Sequence, residues 1–458
     1  MKKILLSVFF AFSCICAFSW GTDQFVHTEP VGRSSVIATS AGILYCSVPS
    51  GTTGQRGIDI MMSTDFGASW NLVTNLSNGQ LVAKSKMLVT GTDSVYCAYL
   101  TGGNLYFYNL QSHTRHSYTF HTVADFDVVA SPNANVLYVF VDEAGTDYLF
   151  YRTTLDGGTT WTGIHGTVSV SAASPRATMD GTRLLLSYYG PVLSSLSTSE
   201  IVSSVWEETS PGQIISHSFS HILNSGVNRP QFGVVLTNMT AWLFYSVSDT
   251  LQEIRYMIST DGGNNFSTET VFTGNATTFA GCFDYTQVKL PGDSGIGLVW
   301  YSEVGFGPGQ MNYTFASSSD PSNFSTTEIF HDFSPACTDD DTYPSICQIL
   351  SDVAVTFFEE DASVSSLYFD MRSMTAGLPD DKMGAVFRIY PNPVLNELHI
   401  ETTIAASEKV YSIKDICGKE IQRVVLNGTH NSVELNDLSS GIYLLDNGSG
   451  KTERFIKL

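Results

Sequence analysis

Basic residues are scarce in this chain, and where they fall is the first chemical clue. The 458 residues hold 23 Lys and Arg against 44 Asp and Glu, a formal charge of −21. Residues 20–375 contain only 12 of the bases, and five of these, Arg33, Lys84, Lys86, Arg176 and Arg229, stand at or just ahead of the starts of short β-type segments. A guanidinium fork binds a carboxylate through two parallel hydrogen bonds. Five cations gathered in an acidic region therefore point to an acidic sugar, or to a glycan or protein ligand bearing carboxylates. The competing explanation is plain solvation of strand ends. Two other clusters could bind metal. His217 and His221 lie on one face of a strand, with no acidic or thiol partner near in sequence, and read more simply as polar edge residues. Asp339, Asp340 and Asp341 could hold Ca²⁺ through carboxylate oxygens, or form a solvated acidic loop. No other cofactor is indicated.

The same counts exclude several roles. Only 15% of residues are charged, against about 25% in an average soluble domain, so the acidity comes from missing bases. Nucleic acid is an unsuitable partner, because phosphate binding needs clustered Lys and Arg. With 43% hydrophobic and 12% aromatic residues the chain can bury a core and is not intrinsically disordered. Lys2 and Lys3, the apolar stretch Ile4 to Phe18 and the small-residue end at Ser19 read as a secretory signal over residues 1–19. No later segment is long and apolar enough to span a membrane as a helix. An exported chain is free to form disulfides. Of the remaining Cys46, Cys97, Cys282, Cys337, Cys347 and Cys417, the expected pair is Cys337–Cys347, which brackets the acidic loop.

These side chains must be positioned by something periodic. Seven aromatic and β-branched segments, from the one at Tyr45 to the one at Phe357, recur with a mean spacing of 52 residues. That is the size of a four-stranded propeller blade. A second signature follows several of them: Ser63-Thr64-Asp65-Phe66-Gly67-Ala68-Ser69-Trp70, Thr154-Leu155-Asp156-Gly157-Gly158-Thr159-Thr160-Trp161 and Ser259-Thr260-Asp261-Gly262-Gly263-Asn264-Asn265-Phe266. A degenerate copy, Ser318 to Phe324, has lost its Gly, and Ser199 to Trp206, despite its helix-like apolar spacing, reads as another in the fourth unit. Gly supplies positive φ, Asp and Ser/Thr bond the turn backbone, and the aromatic plugs into a blade. The seventh unit lacks its last strand, which the segment Trp20 to His27 is expected to supply, closing the ring. The expected architecture is all-β: a propeller of seven blades, with six as the alternative, over residues 20–374, a linker over 375–386 and a small β-sandwich over 387–458.

The three boxes resemble the Asp-box (BNR) repeat of sialidase-like β-propellers. In that family the boxes lie away from the catalytic face, which implies that Asp65, Asp156 and Asp261 are structural. The family's enzymes surround a substrate carboxylate with three arginines, and use a Tyr nucleophile paired with Glu and an Asp acid/base. By position Arg33, Arg176 and Arg229 match the arginines, and Tyr285 matches the nucleophile. No Pro follows Arg33, no Glu partner for Tyr285 is evident, and Tyr45 to Pro49 lacks the expected Asp. With these departures the first reading is a secreted or surface-displayed binding module for glycan or protein ligands, and the second, which the resemblance implies, a sialidase-like exo-glycosidase acting on acidic sugars.

Residues 387–458 alternate as six short strands. Tyr390-Pro391-Asn392-Pro393, Gly418 after the second strand, Gly441 and Tyr443 in Leu438-Ser439-Ser440-Gly441-Ile442-Tyr443, and the terminal Lys457-Leu458 resemble the C-terminal sorting domain of the type IX (Por) secretion system. That resemblance implies passage through the periplasm, recognition by the type IX outer-membrane machinery, and surface anchoring or release.

Overall fold

The structure, a computed structural model, describes residues 20–457 except 22, 29–32, 52–55, 77–78, 119, 121, 133–134, 147, 163–164, 171, 191–199, 225–230, 248–252, 274–277, 291–292, 305–308, 332–343, 362–363, 373–386, 391–393, 416–418, 437, 440 and 447–451. Ser19–Met374 forms one compact unit, and Thr375–Leu458 lies in a second.

In the first unit the described residues form seven antiparallel four-stranded sheets, each read here as a blade. Their inner strands are Ser35–Ala38, Val82–Val89, Val123–Ala130, Ala173–Asp180, Phe232–Thr237, Thr278–Leu290 and Ser345–Ile349, which number blades 1 to 7. Each inner strand packs on the next, and the seventh packs on the first, so the sheets close a ring. The N-terminal strand Gln24–Thr28 completes the last blade by pairing with Val364–Arg372, Gln24 opposite Phe369. With it blade 7 has four strands like the other blades, and the edge of Val364–Arg372 is covered. Trp20 reinforces the closure: its indole stacks on Phe330 and donates to Glu328 at 3.0 Å, while Arg372 bonds the same carboxylate.

The box turns repeat one hydrogen-bond scheme. Ser63 donates to Asp65 at 2.7 Å and accepts from Gly67 N–H at 2.8 Å, while Asp65 accepts from Ser69 N–H at 2.9 Å. Thr154, Asp156, Gly158 and Thr160 repeat it, as do Ser259, Asp261, Gly263 and Asn265. Each box aromatic packs on the preceding blade: Trp70 on Phe369 of blade 7, Trp161 on Phe107 of blade 2, Phe266 on the Leu185 cluster of blade 4. The Gly at φ 88° is Gly67, where a Cβ would fall 1.9 Å from the Phe369 ring. The degenerate copy keeps the packing, with Phe324 against Tyr256 of blade 5, and a reduced turn network in which Ser317 bonds Ser319 at 2.7 Å and Asn323 donates to Asp320 at 3.1 Å.

Blade 4 departs from the expected pattern. Glu200–Ser210 is a continuous strand paired with Gln213–Asn224, so neither a helix nor a box forms there. Its clasp is a buried carboxylate instead: Glu208 accepts from Ser131 at 3.0 Å and from Tyr138, both in blade 3.

The expected Cys337–Cys347 pair is not formed. Cys347 is a free buried thiol, as are Cys46 and Cys97, whereas Cys282 is disulfide-bonded. Cys347 sits on an inner strand in the interface between blades 7 and 1, where its side chain packs as a small hydrophobe. Cys337 lies outside the described residues.

The second unit is built on two long strands, Glu397–Asp415 and Glu420–Glu434, paired along their length with register shifts between Glu401 and Lys409. Four of the short strands expected from sequence are the halves of these two, because the chain shifts register there rather than turning. Phe387–Tyr390 flanks one half and Gly441–Asp446, followed by Thr452–Lys457, the other. Leu398 and Ile400 from the first half pack with Ile413, Leu445 and Phe455 from the second around one core. Tyr443 stacks on Phe455 and donates to Ser439 O at 2.9 Å, and Gly441 pairs with Lys457. Tyr390 pairs with His399. Pro391, Asn392, Pro393 and Gly418 lie outside the described residues.

Candidate functional site

A cavity of about 510 Å³ occupies the centre of the ring and is lined by all seven inner strands. Arg33, Lys84, Lys86, Arg176 and Tyr285, five of the residues singled out from sequence, line it. Arg229, Asp339, Asp340 and Asp341 lie outside the described residues.

The cations at the cavity do not form an open positive surface, as their spacing led us to expect. Lys84 Nζ lies 2.7 Å from Asp125 Oδ1, Arg176 Nη1 lies 3.0 Å from Asp125 Oδ2, and Lys86 Nζ lies 2.6 Å from Asp127 Oδ1. Asp125 and Asp127 alternate on the inner strand of blade 3, as Lys84 and Lys86 do on that of blade 2. Asp127 also accepts the Ala177 N–H of blade 4 at 2.6 Å. Two aspartates therefore clamp three blades. Arg176 lies over the Phe232 ring, 5.6 Å from its centroid, and Lys84 over Phe126 at 5.1 Å.

Electrostatics follow this pairing. Burial favours the neutral form of Asp125, but the charges of Lys84 and Arg176 outweigh it and hold the carboxyl well below the usual carboxylate range. Burial and the nearby Arg176 charge lower Lys84 to about 8, with Asp125 and Asp127 opposing them. Arg176, despite its burial, is held more firmly charged by Asp125 and Asp127.

The other side of the cavity is built differently. Tyr285 accepts the Val234 N–H at 3.0 Å, and burial, together with Asp127 and Asp284, pushes its phenol upward. A nucleophilic tyrosine needs the opposite shift. Asp284 accepts the Ile346 N–H of blade 7 at 3.0 Å, and burial raises it to about 6 although Lys86 and Arg33 pull it down. Between blades 7 and 2 the contacts are neutral: Ser345 accepts Val36 N–H at 3.1 Å, Ser35 accepts Met87 N–H at 3.0 Å, and Ser47 meets Ser85 at 2.9 Å. At the far end of the inner strands Lys289 reaches from blade 6 to Asp180 of blade 4 at 2.9 Å, and Gln287 donates to Met179 O at 3.1 Å and to Leu236 O.

Asp125, Asp127 and Asp284 are the acidic residues beside these cations and Tyr285 that a search for bases passed over. The signal was present, since they occupy the same inner-strand position as the cations, one or two blades away. Outside the cavity, His217 has the acidic neighbour that its sequence surroundings did not reveal, Glu207 at 3.0 Å across the hairpin. Both are exposed, and no group of three or more metal-binding side chains occurs among the described residues.

Residues 388–458 match the family described as the secretion system C-terminal sorting domain. The second unit is a type IX (Por) sorting domain. This sorting domain marks the protein for export through the type IX machinery to the cell surface or the extracellular space. No helix among the described residues is long and apolar enough to cross a membrane. No curated protein matches the chain in sequence. Among solved structures, similar ones include the phage phi92 endosialidase, with 11% identity, a TM-score of 0.47, and 96% of this chain and 87% of that one covered. The NanB sialidase of Streptococcus pneumoniae gives 12%, 0.40, 78% and 71%. The lectin of Aleuria aurantia, described as a six-bladed propeller with a novel fucose recognition mode, gives 12%, 0.41, 75% and 93%.

Proposed function

We propose that the propeller is a glycan-binding module, exported by its sorting domain, that takes a neutral sugar in the cavity lined by the inner strands. The observation that carries this reading is the pairing of Lys84, Lys86 and Arg176 with Asp125 and Asp127. A ligand carboxylate would have to displace one of these aspartates and add a negative charge beside it. Sugar hydroxyls, which donate and accept, match a surface where fixed carboxylates alternate with fixed cations. The volume is in the range of small-ligand sites. Binding of the full exported chain to an array of neutral and acidic oligosaccharides tests the reading. Signal on neutral glycans that Arg176→Ala and Asp127→Asn abolish is the expected result, and signal confined to sialylated or uronic glycans would refute it.

The second reading is a sialidase-like glycoside hydrolase acting on acidic sugars. It is routed through Tyr285, whose upward-shifted phenol and engagement with Val234 argue against nucleophilic attack. Turnover of sialosides or plant glycans in a hydrolysis screen, lost in Tyr285→Phe, would favour this reading over the first.

A further inference from the structure

Asp284 differs from Asp125 and Asp127 in what holds it. Asp125 and Asp127 each face a cation within 3.0 Å. Among the described contacts Asp284 has no ion pair, and its carboxyl accepts instead from backbone groups, the Ile346 N–H and the Tyr285 N–H. It follows a bulge. The register between blade 6 strands shifts between Gly281 and Phe283, and Cys282, at φ 48° and tied by its disulfide, occupies the extra position. A bulge re-aims the side chains beyond it, and Phe283, Asp284 and Tyr285 all line the cavity. The charged and titratable groups around Asp284 come from every side: Arg33 of blade 1, Lys86 of blade 2, Asp127 of blade 3, Arg176 of blade 4, Tyr285 on its own strand and the Cys347 thiol of blade 7. Blade 5 presents Gln231 and Phe232, which do not titrate.

Resting on the neutral-sugar reading, we propose that ligand binding in this cavity is linked to protonation of Asp284, so that the module holds its glycan more tightly in acid than in alkali. A sugar seated in the cavity displaces water from a carboxyl that, among the described contacts, has no ion pair and feels Lys86 and Arg33 only at a distance. That further desolvation favours the carboxylic acid, which then donates to a ligand oxygen and accepts from a hydroxyl. The tendency is already visible in the protein itself, where burial raises Asp284 to about 6. If a bound ligand raises it by one more unit, affinity is about tenfold weaker at pH 8 than at pH 5.

The test reads the full chain on an array of neutral hexose and deoxyhexose oligosaccharides at pH 5 and pH 8, followed by titration with the strongest array oligosaccharide. Wild type is expected to bind about tenfold more tightly at pH 5, and Asp284→Asn to bind equally at both. Equal wild-type affinity at the two pH values overturns the linkage while leaving the glycan reading intact, and so does an unchanged pH slope in Asp284→Asn. Absence of binding to any neutral oligosaccharide at either pH overturns both. Should Asp284→Asn fail to fold, carbon-13 titration of the aspartate carboxyls in the wild-type chain decides. One carboxyl titrating near pH 6 that moves upward on addition of the array oligosaccharide supports the linkage, and none titrating between pH 5 and 7 overturns it.

Discussion

Aspartates do two different jobs in this propeller, and the distance over which they bond separates the jobs. Asp65, Asp156 and Asp261 accept from donors within four residues in their own turns. Asp125 and Asp127 reach cations 41 and 51 residues away on neighbouring blades. All three turn aspartates are shifted below the usual carboxylate range, because hydrogen bonds from the turn overcome a modest burial effect. Asp125 is shifted the same way by full charges. A turn aspartate can be lost with its loop, whereas the cavity aspartates hold three blades in register around a site.

The largest expected effect is therefore at Asp125. Asp125→Ala leaves Lys84 and Arg176, each only 18–20% exposed, facing one another without a directly bonded carboxylate, Asp127 acting on both only from farther away. Removing one partner of a buried pair costs about 3–5 kcal/mol, which urea unfolding of the variant would register. A loss below about 1 kcal/mol would mean that the cluster is solvated and the contrast with the turns is false. Its pH dependence has a definite sign. The pairing contributes fully above the ordinary carboxylate value near 4 and is lost as pH falls toward the depressed folded value.

Asp284 should behave in the opposite sense. Its folded value is raised to about 6, so between about pH 4 and 6 the native state holds a proton that the unfolded chain has released. Stability falls as pH rises through that window and stays low above it. Asp284→Asn removes the slope and should be more stable than wild type by about 3 kcal/mol at pH 8, with little difference at pH 4. Denaturation midpoints that run parallel from pH 4 to 8 would place Asp284 among the ordinary carboxylates.

The contrast also explains what was legible in the sequence. A box turn is written in eight consecutive residues, so its hydrogen bonds and the direction of its aromatic could be read from spacing. Ring closure was legible for a related reason, since a strand missing at one end and a spare one at the other stand out in a periodic chain. The clamp was not legible, because Lys84, Asp125 and Arg176 meet only once three blades are folded. Counting bases alone made the site look cationic, and the acids at equivalent positions of blades 3 and 6 supplied the correction. The Cys282 disulfide was missed because nothing local to Cys282 distinguishes it from the free thiols Cys46, Cys97 and Cys347. Glu208 escaped notice because its donors Ser131 and Tyr138 lie on another blade.

The smallest effect belongs to the turns, and it tests the division most directly. In Asp156→Ala the Thr160 N–H and hydroxyl and the Thr154 hydroxyl lose their acceptor. The site is exposed, so water replaces much of what is lost, and the cost should be that of a missing cap, about 1 kcal/mol. Hydrogen exchange should quicken at the amides of residues 156–161 and remain unchanged on the inner strands, because Trp161 still packs on Phe107 and Tyr118. If protection instead fell along the inner strand of blade 3, the turn would be transmitting to the cavity, and Asp156 would belong with Asp125 and Asp127 rather than apart from them.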